Sequence, residues 1–131
     1  MMTAESVWEE LWDRLNDFYA VLVSHLRARN ERLWSQVAHQ ETAAFPFTGY
    51  VSLSKDGPPG DEDLVLTWSV RRRDGHLVAA ADISRGDGTV LAELPVADLA
   101  EPVDRSRITV EQERAIRFFR SHLAVIEREV C

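Results

Sequence analysis

The fold is decided by residues 64–94, which read LVLTWSVRRRDGHLVAAADISRGDGTVLAEL. Asp74 and Gly75 suit a two-residue type I′ turn, because both central positions of that turn need a positive φ. A hairpin closed there places three pairs on one apolar face: Val70 with Ala79, Trp68 with Ala81 and Leu66 with Ile83. The sequence therefore predicts strands at residues 63–72 and 76–84 with a defined register.

A second turn is predicted within residues 85–88, RGDG, and it leads into a strand at residues 89–94. Pairing Ser84 with Thr89 extends the apolar face by three pairs: Ile83 with Val90, Ala81 with Ala92 and Ala79 with Leu94. Both hairpins then bury the same side of the sheet. A slip of one residue in either turn would direct the wrong side chains inward, so their agreement supports the pattern.

A further strand is predicted at residues 47–54, where Gly49, Val51 and Leu53 alternate with polar residues and Tyr50. Residues 55–62, KDGPPGDE, contain two prolines and two glycines and are typical of an exposed loop. The four predicted strands follow one another along the chain. They are expected to form an antiparallel meander.

Amphipathic helices are predicted on both sides of the strands, at about residues 6–37 and 110–130. In the first, apolar residues recur at steps of three and four: Trp8, Leu11, Trp12, Leu15, Phe18, Tyr19, Leu22 and Leu26. Both apolar stripes need a partner surface, which the apolar sheet face provides. The predicted fold class is α+β, with both helices on one sheet face in a two-layer sandwich and residues 1–131 forming a single domain.

Composition indicates a globular protein that needs no covalent cross-link. The chain has 131 residues, 45% of them hydrophobic, and one cysteine, Cys131, which allows no internal disulfide. The first residues lack the basic and apolar segments of a signal peptide, and no stretch approaches the length of a membrane span. We expect a soluble bacterial protein of the cytoplasm that does not bind membranes.

The formal net charge of −7 argues against nucleic-acid binding, because affinity for the phosphate backbone comes from clustered basic residues. One short basic run, residues 71–73, lies at a predicted strand end. Such a run either keeps the strand end solvated or grips an acidic partner or a phosphate. The overall acidic charge favours a basic protein partner.

No residue pattern indicates catalysis, a metal site or a cofactor. The four histidines, His25, His39, His76 and His122, are scattered and match no metal-binding motif. The carboxylates Glu9, Glu10, Asp13 and Asp17 lie opposite the apolar stripe of the first helix, as expected of a solvated face. Nucleophile-elbow and phosphate-loop motifs are absent. We therefore expect that the protein is not an enzyme and that it binds neither a metal nor a cofactor.

The mixed face of the predicted sheet is a candidate surface for a partner protein. Apolar residues such as Val65 and Ala80 make this face less polar than solvation alone requires, and apolar surface rimmed by polar groups often marks an interaction site. The residues predicted to contact a partner are Tyr50, Thr67, Ser69, Arg71 and Asp82.

The length of the predicted first helix suggests a homodimer. A helix of about 32 residues would span about 48 Å, whereas a strand of eight residues spans only about 27 Å. The overhanging end carries Leu33, Trp34 and Val37. Either the chain bends near Asn30 and returns these residues to its own core, or they pack on a second subunit. The sequence favours the second arrangement, because Asn30 alone is a weak helix breaker.

The predicted build resembles that of bacterial adaptor, secretion-chaperone and toxin-immunity proteins, a resemblance of fold class that does not by itself transfer function. The leading hypothesis for function is a non-enzymatic, homodimeric protein-binding module. The alternative is a small-molecule-binding domain, in which Ala79, Ala81 and Ala92 leave an apolar pocket near Trp68 and Tyr19, between the sheet and the helices.

Overall fold

The computed structural model describes residues 4–41, 46–57, 63–99 and 104–131, without the side chains of residues 4–7. Along the chain lie α1 (Ala4–Arg27), β1 (Trp34–Gln40), β2 (Phe47–Ser54), β3 (Leu64–Arg73), β4 (His76–Arg85), β5 (Val90–Leu99), α2 (Arg105–Ser121) and α3 (Leu123–Val130). The strands form one antiparallel sheet in the order β1-β2-β3-β4-β5. The helices pack on the sheet, which confirms the α+β class, although the sheet has five strands in place of the predicted four.

The core lies between the helices and the inner face of the sheet. α1 contributes a row of buried residues: Leu11, Leu15, Tyr19, Leu22, Val23 and Leu26. Trp68 on β3 is 1% exposed, and its ring lies 5.3 Å from that of Phe47 on β2. Tyr19 is buried and lies 6.2 Å from the ring of Phe119 on α2. Aromatic side chains thus fill the region near Trp68 and Tyr19, where the alternative interpretation of the sequence places an apolar ligand pocket.

The first hairpin has the predicted register. Val70 pairs with Ala79, Trp68 with Ala81 and Leu66 with Ile83. Asp74 and Gly75 have φ values of 50° and 86°, which are the positive angles that a two-residue type I′ turn requires. Turn chemistry and polarity pattern agree at this hairpin.

The predicted register between β4 and β5 is wrong. Ile83 pairs with Ala92 and Ala81 pairs with Leu94, because the ladder contains two irregularities that the sequence pattern does not show. One of them contains Pro95, whose missing N–H is tolerated at a bulge. β5 therefore continues to Leu99, beyond the predicted end at residue 94.

The predicted helix at residues 6–37 is wrong beyond Arg27. The Asn30 N–H donates to the carbonyl oxygen of Leu26 at 2.8 Å, and the Asn30 side chain donates to the carbonyl oxygens of Lys55 and Val130. Asn30 alone is a weak helix breaker, but these hydrogen bonds to distant parts of the chain hold it in a turn. The chain then re-enters the fold as β1, so no helical overhang exists.

The predicted helix at residues 110–130 begins earlier and is interrupted. Asp104 caps α2, because its Oδ1 accepts a hydrogen bond from the Ser106 N–H at 2.6 Å. Near the end of α2, the side chains of Ser121 and His122 both bond to the carbonyl oxygen of Phe118, each at 2.8 Å. These bonds compete with the backbone hydrogen bonds of a continuous helix, and α3 starts at Leu123.

Candidate functional site

The two edges of the sheet differ in how well they are protected against pairing with another chain. The edge strand β5 contains Pro95, two carboxylates at Glu93 and Asp98, and two irregularities in its ladder to β4. Prolines, charges and bulges are the features that prevent an edge strand from recruiting a further strand. The β5 edge is therefore blocked.

The opposite edge strand, β1, has none of these features. Its seven residues, WSQVAHQ, include no proline, glycine, lysine, arginine or carboxylate. Its ladder to β2 is unbroken from the Trp34–Ser54 pair to the Gln40–Thr48 pair. Among residues 4–41, 46–57, 63–99 and 104–131, no strand pairs with the other side of β1. This side thus offers backbone donors and acceptors to an added strand.

A groove runs along the inner side of this edge, between α1 and β1. Its volume is about 380 Å³, and its lining includes Ala20, Val23 and Ser24 from α1 with Ser35 and Val37 from β1. Val37 is 40% exposed although it belongs to the inner face, opposite Val51. The groove gives space to inward-pointing side chains of a strand added beside β1.

Contacts at both ends of β1 fix its position relative to α1. At the start, the Arg27 guanidinium donates to the Ser35 hydroxyl at 3.1 Å. At the other end, the His39 ring lies 4.8 Å from that of Trp12 and 6.4 Å from that of Phe47. The edge is thus anchored at both ends along a preformed groove.

The structure brings the five predicted partner-binding residues onto one face. Tyr50, Thr67 and Asp82 form a row across β2, β3 and β4. Ser69 and Arg71 lie on the same face of β3 by strand alternation. All five are half-buried, and the Arg71 Nε is a buried atom that has no hydrogen-bond partner in the described part of the chain. Whether a partner covers this face stays a prediction.

The carboxyl group of Asp82 is electrostatically unfavourable in this row. Its burial raises the pKa above the ordinary aspartate value, and Glu93, paired with Asp82 across the ladder, raises it further. A hydrogen bond with Ser84 and the charge of Arg71 offset part of this rise in pKa. A positive group placed against this row would favour the ionised carboxylate.

The three predicted dimer contacts do not form one patch. Leu33 is 4% exposed and belongs to the core, so it offers no surface to a second subunit. Trp34 and Val37 lie on opposite faces of β1, since they are three residues apart in a strand. Of the three side chains, Val37 is the one that lines the open groove.

A second groove lies on the outer side of the helical layer, between α1 and the α2–α3 pair. It has a volume of about 560 Å³ and an apolar lining that includes Phe18, Leu22, Ile116 and Leu123. Val21 projects into it and is 70% exposed. The Arg120 guanidinium lies 5.5 Å above the Phe18 ring at its rim.

A polar cluster around Glu127 joins two helices. Glu127 on α3 accepts hydrogen bonds from His25 and Arg29, which lower its pKa and join α3 to the end of α1.

No group of three potential ligands suited to a metal ion occurs in the described ranges. The described helices include none long and apolar enough to cross a membrane. Absence of catalysis, metal and cofactor stays an expectation.

Sequence reasoning missed the β1 edge because a continuous helix was predicted over it. One signal was present: the charged segment at residues 28–32, ARNER, is followed by eight residues without Asp, Glu, Lys or Arg, in which polar and apolar residues mix without a helical period. The corner at Asn30 depends on contacts with distant parts of the chain, which a local pattern does not reveal.

Comparison of the chain with protein-family models, with curated proteins and with solved structures gave no match. Proposals about function therefore depend on the geometry of the chain itself.

Proposed function

We propose that this protein is a non-enzymatic protein-binding module that accepts an extended segment of a partner protein as a sixth strand beside β1. The observation that carries the proposal is the contrast between the two sheet edges. β5 is blocked by Pro95, by charges and by bulges, whereas β1 is regular and uncharged. Natural proteins protect edges that have no partner, so an unprotected edge supports a binding role.

Strand addition would use two kinds of contact. The backbone of the partner segment would bond to the free side of β1, which supplies affinity for many sequences. Alternate side chains of the segment would enter the groove between α1 and β1. Ala20, Val23 and Val37 favour a small apolar side chain at the centre of the groove, whereas Ser24 and Ser35 favour polar neighbours.

Narrower expectations from the sequence belong to the same proposal. We propose that the module acts in the cytoplasm, forms a homodimer and prefers basic partner proteins. The net charge of −7 supports a basic partner, because it would steer cationic surfaces toward this one. The half-buried row with Asp82 beside Glu93 supports an additional contact there, formed by Tyr50, Thr67, Ser69, Arg71 and Asp82.

A display library of random extended peptides tests the strand-addition function. Peptides selected on the wild-type protein are measured against Val37→Lys and against the control Val96→Lys. Val96 on β5 is 43% exposed, close to the 40% of Val37, so both changes add a charge to a similarly exposed edge position. We expect binding to weaken by at least about tenfold with Val37→Lys, because a lysine on an edge opposes strand pairing, and to be unchanged with Val96→Lys. Failure to select peptides, or equal binding to both variants, would reject the proposal.

A second candidate function is the binding of a small apolar ligand, in the outer groove between α1 and the α2–α3 pair. The exposed Val21 and the apolar lining of that groove favour it. Titration with dodecanoate tests this function. Saturable binding should weaken by about tenfold in Val21→Asp, because a carboxylate there opposes apolar burial, and persist in Val110→Asp, a change at another exposed helical valine. The absence of saturable binding would reject it.

A further inference from the structure

β1 is complementary to a second copy of itself in the antiparallel direction. When Val37 faces Val37 of the second copy, the register is fixed. Each residue before Val37 then faces the residue of the second copy that lies equally far after Val37. The pairs are Trp34 with Gln40, Ser35 with His39 and Gln36 with Ala38. No like charges face each other, and the apolar pair lies on the axis. A two-fold interface requires this kind of self-complementary patch.

The charges that flank β1 select the antiparallel direction. Arg32 precedes the strand and Glu41 follows it, and both side chains are exposed. Antiparallel pairing brings Arg32 close to Glu41 of the second copy at each end, whereas parallel pairing would bring like charges together. In the described part of the chain, Arg32 has an exposed ion pair with Asp56 at 4.0 Å and Glu41 has one with His39 at 3.9 Å, and exposed pairs of this kind contribute little.

The groove beside β1 matches the inward side chains of such a second strand. Val37 of the second copy would lie against Val37, which is 40% exposed in the single chain, beside the groove wall that Val23 helps to form. Ala20 and Ser24 on α1 are small and exposed, so the helix of the second copy can approach across the axis. Helix contacts would add to the area buried by the strands, as a stable dimer requires.

We infer that a second copy of this chain occupies the β1 edge in the free protein, with the two β1 strands antiparallel and Val37 on the two-fold axis. This inference rests on the proposed strand addition, and it identifies a second copy of the chain as the occupant of the β1 edge before a partner binds. It has a regulatory consequence, because the same edge serves self-association and partner binding. Partner segments must displace the second copy, so partner binding and dimerisation compete.

Charge substitution at Val37 tests the inference, because a residue on the axis faces itself. Val37→Lys and Val37→Glu should each be monomeric, since each places like charges opposite one another. An equimolar mixture should form the mixed dimer, at about twice the 14.9 kDa chain mass by native mass spectrometry. Recovery on mixing also shows that both variants are folded. Val96→Lys should dimerise as wild type does.

The outcomes separate this inference from the proposed function. A wild-type protein that is monomeric at every accessible concentration, or single variants that still dimerise, would overturn the second copy as occupant. If peptides from the display library nevertheless lose binding to Val37→Lys, strand addition stands without the dimer. If the mixed dimer forms but no peptide is selected, the edge serves self-association and the wider binding function is rejected.

Discussion

The hydroxyl group of Tyr19 on α1 donates a hydrogen bond to the carbonyl oxygen of Leu66 on β3, at 3.1 Å. The carbonyl oxygen of Gly49 on β2 lies 3.3 Å from the same hydroxyl. Burial, with a smaller contribution from the charge of Asp82, raises the Tyr19 pKa well above its ordinary value, so the hydroxyl keeps its proton. This bond fixes α1 over the inner sheet face. In this position α1 flanks β1 and leaves free the edge of β1 that points away from β2.

Removal of the Tyr19 hydroxyl should destabilise the fold without changing its shape. Tyr19→Phe keeps the ring but removes a buried donor, and we expect the free energy of unfolding to fall by about 1–2 kcal/mol. Urea unfolding measures this change. The control Tyr50→Phe, at a half-buried position on the outer face, should have a smaller effect. Equal stability of Tyr19→Phe and wild type would show that the bond does not anchor α1.

Gly49 lies where a side chain of α1 closely approaches β2. A Cβ at this position would lie 2.7 Å from Leu15 Cδ2 and 3.0 Å from Phe47 Cε1. Gly49→Ala should therefore lower the free energy of unfolding by about 1–3 kcal/mol through overpacking. Leu15→Ala creates space beside it, so the double variant should lose less stability than the sum of the two single losses. Simple additivity would contradict this packing.

Asp82 should make stability depend on pH. Its pKa is raised in the folded state by burial and then by Glu93, so the folded protein binds more protons than the unfolded chain between the two pKa values. Stability should fall as the pH rises through that range, and Asp82→Asn should raise the melting temperature at pH 7. The control Asp13→Asn, at an exposed helical position, should leave it unchanged. A lower melting temperature for Asp82→Asn would show that Arg71 and Ser84 outweigh the burial of the charge.

The sequence predicted those parts of the fold that depend on residues close to one another along the chain. Asp74 and Gly75 specify their own turn, and the β3–β4 register follows from it. The corner at Asn30 could not be predicted in this way, because it is held by the carbonyl oxygens of Lys55 and Val130. The bulge at Pro95 likewise depends on the pairing of β5 with β4. This pairing continues β5 past Pro95, although a proline ordinarily ends a strand.

The candidate site was predictable in part for the same reason. Alternation along the strands predicts that Tyr50, Thr67 and Asp82 share one face, and the hairpin register pairs Thr67 with Asp82, whereas the pairing of Tyr50 with Thr67 comes from the structure alone. The open edge was not predictable, because it exists only once the chain turns at Asn30 and returns as a strand. The sequence predicts Val37 as a dimer contact on a helical overhang, whereas the structure places it on β1 beside the α1–β1 groove.

Amide hydrogen exchange across the sheet, measured by NMR in the wild-type protein, shows directly whether β1 is the binding edge. Spectra are recorded at low and high protein concentration and with a peptide selected from the display library. Amides of Trp34–Gln40 that point away from β2 should exchange fast in the dilute protein and slow down on association or peptide binding, while those of β5 should not change. Slowed exchange in β5, with β1 unchanged under both conditions, would contradict the assignment of β1 as the binding edge.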